Sequence, residues 1–242
     1  YVALLNNDTI VDKNWLIELV KVIQKNKKIA GVGGKILFMD GRINSVGQKR
    51  AYNFSWSDVG YGEIDTGHYN RINEVEGLCG AAVLYRKRIL KKIGLFDEDF
   101  IMYADDNDIS TILVKKGYKL FYAPKSIVYH RESATAKRDL RRKIYFEVRG
   151  RLIYLAKHNP EMILEYVRKP THPIIIKDVI KKILKEHGHK YKNIISKLNS
   201  NQKNPLINRI IWDIRPLLGR RFLNFISQYR IKNANLDGKV SS

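Results

Sequence analysis

Hydrophobic and polar positions change period along this chain, and each change marks a new element. Residues 1–5, "YVALL", form a short apolar run closed by the Asx-rich turn "NNDT", the pattern of a buried strand. In "DKNWLIELVKVIQKN", Trp15, Leu16, Leu19, Val20 and Ile23 recur at helical spacing. "IAGVGGKILF" reads as a strand whose glycines mark where another backbone or a ligand comes close. From Met39 to Glu76 the pattern weakens. Tyr52, Phe54, Trp56 and Tyr61 lie there among Gly, Ser and Asp, which predicts a long excursion carrying binding surface. Strand character returns in "GLCGAAVLYRK", followed by a short basic helix, "RKRILKKIG", closed by Gly94. Ile109, Ile112 and Leu113 make "DDNDISTILVKKG" a helix with Gly117 at its C-terminal end. "YKLFYA" and "SIVYH" read as two further strands. This alternation predicts an α/β fold with a largely parallel sheet.

After His130 the character changes. "KRDLRRKIYFEVRGRLIYLAKHN" reads as one long basic amphipathic helix, broken by Pro160, and "IIIKDVIKKILKEH" as another. "NPLINRIIWDIRPLLGRRFLNFISQY" continues in the same way with interruptions at Pro216 and Gly219, and the last dozen residues are polar and read as disordered. The pattern divides the chain into residues 1–135, an α/β portion; 136–170, a long amphipathic helical segment packing on the core; and 171–242, a basic helical extension with its tail.

Charge sharpens that division. Of the net +21, residues 1–130 contribute 19 Lys and Arg against 15 Asp and Glu, and residues 131–242 contribute 26 against 9. The surplus belongs to the second half, and the anionic partners it admits are nucleic acid and a membrane surface. With 44% hydrophobic residues the chain has ample material for a core. Its one cysteine, Cys79, excludes an intrachain disulfide framework and a cysteine metal site, and fits a reducing compartment. No run approaches the eighteen apolar residues of a membrane-spanning helix, and no signal-peptide pattern is expected in these residues. The chain opens at Tyr1 inside an apolar run, without methionine, so a fragment of a longer protein is expected.

Three places carry candidate chemistry. Asp8 ends a strand, where open α/β sheets bind ligands, and its carboxylate suits Mg²⁺ or Mn²⁺ shared with a diphosphate; a turn in which Asn6, Asn7 and Asp8 cap the next helix is the alternative. Asp105, Asp106 and Asp108 open a helix. The helix dipole accounts for one carboxylate there but poorly for three; the cluster either caps the helix or holds a general base, raised in pKa by like-charged neighbours and partial burial and lowered by the dipole. His130 ends the strand "SIVYH", as a metal ligand or as a solvated strand end.

Taken in order, strand–Asp, an acidic cluster opening a helix, and a strand ending in His, these features resemble the inverting family 2 glycosyltransferases of GT-A fold, especially the rhamnosyltransferase-like bacterial members. The segments that carry the resemblance are "LLNNDTIVDKNWL", "GLCGAAVLYRKRILKKIGLFDEDFIMYADDNDIS" and "KKGYKLFYAPKSIVYH", within residues 1–157. The resemblance implies a Rossmann-like, mostly parallel sheet and a nucleotide-sugar donor of dTDP-rhamnose or UDP-hexose type. "NND" stands at the DXD-type metal motif, so Asp8 binds the divalent cation (Mn²⁺ or Mg²⁺) while Asn6 and Asn7 lie in the donor-diphosphate region. "DDND" matches the acidic E-D-x-D segment. Asp106 falls on the catalytic base, while Asp105 and Asp108 support the acceptor or the helix. His130 falls on the histidine that completes metal coordination, and Gly80 and Ala81 belong to the loop lining the donor-sugar and acceptor site.

The implied reaction is attack by an acceptor hydroxyl, deprotonated by Asp106, on the anomeric carbon, with inversion and departure of the nucleoside diphosphate. Acceptors of such enzymes are glycans or polyprenyl-linked saccharides of the bacterial cell surface. The expected location is cytoplasmic. Peripheral contact to an anionic membrane through the basic C-terminal helices is compatible with their lying on the surface or packing their apolar stripe on the core. No nucleic acid is expected, since the basic helices carry no reading motif. The family's nucleobase-binding first half is expected before Tyr1, so the chain alone is expected to turn over donor poorly. The usual Arg-Asn of the following helix is Arg149–Gly150 here. Two other functions fit less: a non-catalytic carbohydrate-binding scaffold, and a basic nucleic-acid-binding module.

Overall fold

The computed structural model describes residues 1–51, 55–131, 139–168, 173–187 and 190–191. By its internal contacts the chain divides into two compact units, Tyr1–Tyr154 and Leu155–Ser242. The first unit is a mixed α/β domain. Its main sheet runs β1 (Val2–Leu5), β8 (Ala82–Tyr85), β3 (Ile29–Phe38), β9 (Lys119–His130), β2 (Thr9–Val11), with β4 (Ile43–Ser45) on β3 and β7 (Asn73–Val75) on β9. A separate hairpin joins β5 (Gln48–Arg50) to β6 (Trp56–Asp58).

β3 owes its place at the centre to its composition. Its first nine residues are buried, as expected of a strand covered on both faces, whose sequence then runs apolar without alternation. One glycine there answers the expectation of close approach: a Cβ on Gly34 would sit 2.4 Å from the Ser126 carbonyl oxygen of β9. β3 and β9 form the longest pairing, and it is parallel; the other pairings of the sheet are antiparallel. The α/β class is as expected, and the sheet is mixed, built around the long parallel β3–β9 pairing. Only β3 and β9 are joined in the crossover sense, while short return strands fill the remaining positions.

Two sequence expectations change. "YKLFYA" and "SIVYH" are one strand, β9, with a bulge between Ala123 and Ile127, where the register to β3 skips. Pro124 falls in that skip, which suits a residue with no N–H for the ladder. "YVALL" is an edge strand rather than a buried one. β1 alternates half-buried and exposed residues, and Leu5 is 45% exposed.

α1 (Trp15–Ile23) buries Trp15, Leu19, Val22 and Ile23 against the sheet, while Leu16 stays outside. α2 (Lys87–Ile93) ends in a left-handed Gly94, and α3 (Asp105–Lys115) buries Ile109 and Leu113. α4 (Leu140–His158) is the expected long basic helix, followed by a 3₁₀ turn at Pro160–Met162 and by α5 (Ile163–Arg168). The boundary between the two units falls inside α4, and Tyr154 is tied into the first unit. Its hydroxyl lies 2.9 Å from Thr111 Oγ1, and its ring meets that of Trp56 edge-on at 6.4 Å.

Within the second unit, α6 (Pro173–His187) buries Ile176, Val179, Ile180, Ile183 and Leu184, while Lys182 and Lys185 are exposed. Its apolar stripe is therefore covered. The segment from Asn204 to Tyr229 and the polar C-terminus lie outside the described residues. No helix among the described residues is long and apolar enough to cross a membrane.

Candidate functional site

Two short hydrogen-bond networks meet at the ends of β1, β8 and β9. β1 ends at Leu5, and the Asn6 amide donates to the Ala81 carbonyl at 2.9 Å, which fixes the turn Asn6–Asp8 beside the Gly80–Ala81 segment leading into β8. The turn closes through Thr9 Oγ1, which donates to the Asn6 carbonyl at 2.6 Å. Asn6 and Asn7 are exposed in it.

β2 then pairs with the end of β9, with Thr9 opposite His130, and the Arg131 amide donates to the Asp8 carbonyl at 3.0 Å. This register brings two residues 122 positions apart into contact: Asp8 Oδ1 lies 3.2 Å from His130 Nε2. On the other side of the ring, His130 Nδ1 lies 3.3 Å from Asn44 Oδ1 of β4. An Nδ1–H donated to Asn44 leaves the Nε2 lone pair directed at Asp8, as a ligating imidazole requires.

The pair fits a divalent cation. Two ligands of one octahedral ion, each at about 2.1 Å, lie about 3.0 Å apart, close to the 3.2 Å found. Among the described residues no group of three or more His, Cys, Asp and Glu converges. A cation on Asp8 and His130 therefore has most of its positions left for oxygens of phosphate and water, the usual arrangement for Mg²⁺-type sites.

The second network surrounds Asp106. α3 is entered through Tyr103 and Ala104, both left-handed at φ 63° and 65°, an uncommon backbone for non-glycine residues. Ala104 occupies the N-cap and gives no side-chain cap. The three aspartates lie in the first turn, where the dipole favours them. Asp108 is buried, at 1% exposure.

Asp106 Oδ2 accepts from the Gly80 amide at 3.0 Å and from Gln48 Nε2 at 3.4 Å, and Oδ1 accepts from the Asn107 amide at 2.8 Å. Burial, then the charge of Asp105, push the Asp106 carboxyl up to about 7, against the pull of the Gly80 and Asn107 amides. Asp105 is also raised, chiefly by burial. The result is a carboxylate aimed by fixed donors that takes up a proton near neutrality.

Gly80 shows why this loop needs a small residue, since a Cβ there would lie 3.3 Å from Asp106 Cβ. Gly150, of the unexpected Arg149–Gly150 pair, has a sharper reason. A Cβ at that position would stand 2.4 Å from the Tyr103 carbonyl oxygen. α4 thus packs its backbone directly on the left-handed segment that launches α3. Arg149 is buried beside it, and its guanidinium donates to the Asp99 carbonyl at 3.4 Å.

The structure accordingly brings Asp8 to His130 and Gly80 to Asp106, and links the two pairs through the Asn6–Ala81 bond. Asn44, Gln48, Asn107 and Gly150 were not legible as site residues. Asn44 and Gln48 lie in the Met39–Glu76 excursion, where no periodicity assigns a face to any side chain.

Residues 1–145 match the family model described as Glycosyl transferase family group 2. Among relatives, the O-antigen biosynthesis protein RfbC of Myxococcus xanthus is 29% identical over 142 residues, 56% of this chain and 11% of that protein. The N-acetylglucosaminyl-diphospho-decaprenol L-rhamnosyltransferase of Mycobacterium tuberculosis is 30% identical over 79 residues, 33% of this chain and 26% of that protein. The chain thus spans about a tenth to a quarter of the length of these relatives. Solved structures it resembles include GalNAc-T7 with UDP, GalNAc and Mn²⁺, at 15% identity and a TM-score of 0.44, covering 78% of this chain and 41% of that one. Another is the mannosyltransferase PcManGT from Pyrobaculum calidifontis with GDP-Man and Mn²⁺, at 12% identity and a TM-score of 0.38, covering 93% and 58%. Likenesses this distant carry no argument about chemistry. With well over half of its length matched by the family model, the chain belongs to glycosyl transferase family group 2.

Proposed function

We propose that this glycosyltransferase works by inversion through a GT-A-type site, with Asp106 as the general base. One observation carries the reading: a half-buried carboxylate, raised to about 7, is clamped by a loop amide one strand-end away from the Asp8–His130 pair. A base poised near neutrality takes an acceptor's hydroxyl proton as that oxygen attacks the anomeric carbon. The bond to the nucleoside diphosphate breaks on the opposite face, and the proton stays on Asp106 until solvent removes it. Asp8 and His130 would hold Mn²⁺ or Mg²⁺, which when bound supplies positive charge to the departing diphosphate. Gly80 and Ala81 shape the wall beside the base. Asp105 raises its proton affinity, and Asp108 anchors the helix that carries it.

The names of the two relatives support a cell-surface saccharide as product, rhamnose as the sugar and a lipid-linked acceptor. A dTDP-rhamnose or UDP-hexose donor and a glycan or polyprenyl-linked acceptor complete the proposal. The same reading places the enzyme at the cytoplasmic face of a membrane, where the exposed lysines of α6 meet anionic headgroups. The test is transfer or hydrolysis across a panel of UDP-, dTDP- and GDP-sugars with Mn²⁺, Mg²⁺ or EDTA, beside Asp106→Asn. Metal-dependent turnover of one donor, lost in the variant, establishes the reading. Turnover that survives the substitution removes Asp106 from the role.

A further inference from the structure

We propose that Gln48 is the positioning residue for Asp106, its amide held by Asn107 so that Nε2 donates to Oδ2 and leaves Oδ1 as the oxygen that receives the proton. This deepens the reading of Asp106 as base and rests on it.

The argument is one of donors and acceptors. An ionised carboxylate only accepts hydrogen bonds, so the atom Gln48 turns toward Asp106 must be its NH₂. That leaves Oε1 on the other side, where Asn107 Nδ2 donates to it at 2.9 Å. The chain therefore runs in one direction, Asn107 to Gln48 to Asp106. Beside the ionised carboxylate, the form that acts as base, Gln48 cannot flip its amide without setting its own carbonyl against it.

The backbone holds Gln48 equally firmly. It is buried at 7% exposure, and its amide and carbonyl exchange hydrogen bonds with Gly77 at 2.8 and 3.0 Å. A carboxylate has about four lone-pair sites, two on each oxygen. On Oδ2 both are used, by the Gly80 amide and by Gln48; on Oδ1 one is used, by the Asn107 amide. The remaining site is on Oδ1. Among the described residues, the other ionisable groups that face Asp106 act against its ionised form or stay neutral beside it: Asp105 on α3, Asp58 on β6 and the buried Tyr85 on β8. Gln48 is thus the only side chain among these neighbours that gives Asp106 a hydrogen bond.

The experiment titrates the Asp106 carboxyl by ¹³C NMR in the full 242-residue chain, with Asp106→Asn identifying its resonance. Gln48→Leu and the near-isosteric Gln48→Glu are compared with wild type. Loss of one donor to a charged group moves the midpoint up by about one pH unit in Gln48→Leu, and the added carboxylate moves it further in Gln48→Glu. In transfer assays the acid limb of the pH–rate profile moves with it, and the donor KM is unchanged. A role in holding the hairpin alone would lower the unfolding temperature and leave the midpoint in place. An unmoved midpoint in both variants overturns the inference, whether or not Asp106 is the base. Full turnover by Asp106→Asn overturns the base and leaves the NMR result to judge Gln48 by itself. If Gln48→Leu does not fold, Gln48→Met, which keeps the length of the side chain and lacks the donor, decides.

Discussion

The Gly80 amide donates to Asp106 Oδ2 at 3.0 Å, and a Cβ on Gly80 would come within 3.3 Å of Asp106 Cβ. Loop and carboxylate are in contact on two counts, so neither moves without the other. The acidic first turn of α3 is therefore more than a solvated helix start. It is docked, through Asp106, onto the strand end that also receives the Asn6–Asp8 turn.

Replacing Asp106 by Asn keeps the shape and removes the proposed base. Turnover should fall by about 10²–10⁴-fold, the usual worth of general-base catalysis, while donor affinity stays within a factor of about two, since the contacts of Asp8 and His130 are untouched. Steady-state release of nucleoside diphosphate gives both quantities.

Titration of Asp106 has two signatures. Activity should fall as pH drops through about 7, where the carboxyl takes up its proton. Stability runs the other way. A carboxyl whose folded pKa is raised binds its proton more tightly when folded, so its contribution is complete below the unfolded value near 3.8 and is lost as pH rises to about 7. The wild type should lose about 2–4 kcal/mol more between pH 4 and 8 than Asp106→Asn does. Urea unfolding of both proteins at the two pH values measures the difference.

Asp8 and His130 should bind Mn²⁺ together. Asp8→Ala or His130→Ala should each weaken Mn²⁺ affinity by more than tenfold. Asn44→Leu, which removes only the partner of His130 Nδ1, should weaken it by about 10–100-fold. Mn²⁺ titrations followed by EPR, with and without a nucleoside diphosphate, check this. Equal affinity in wild type and Asp8→Ala would remove the metal from this pair.

Gly150→Ala should be costly for a glycine in a helix, where alanine normally stabilises. Its methyl group would press on the Tyr103 carbonyl oxygen, which must move or push α4 away. The expected loss is about 1–3 kcal/mol in urea unfolding, together with a lower kcat at unchanged donor KM as the entry to α3 shifts.

Much of the fold was legible because burial imposes periods on sequence. α1, α3 and α4 announced themselves through apolar residues at i, i+3 and i+4, and β3 through an unbroken apolar run. So were Asp8, Asp106 and His130 as candidates, since each ends or opens an element whose pattern is clear. Pairing was not legible. Whether β1 is central or at an edge, and whether β9 is one strand or two, depends on hydrogen bonds between segments far apart in sequence, which leave no local period.

The same limit separates the chemistry that the sequence determined from the chemistry that only the tertiary structure decided. Residue types and their places at element ends were written in the chain, and they sufficed to nominate a metal carboxylate, a base and a histidine. The 3.2 Å between Asp8 and His130 came from the β2–β9 register. The proton affinity of Asp106 came from burial among Asp105, Asp58 and the Gly80 loop. Gln48 entered the site because a hairpin without periodicity folds over α3. Local pattern records which face of an element is buried. It does not record which distant side chain arrives there, because that contact is set by the packing of whole elements.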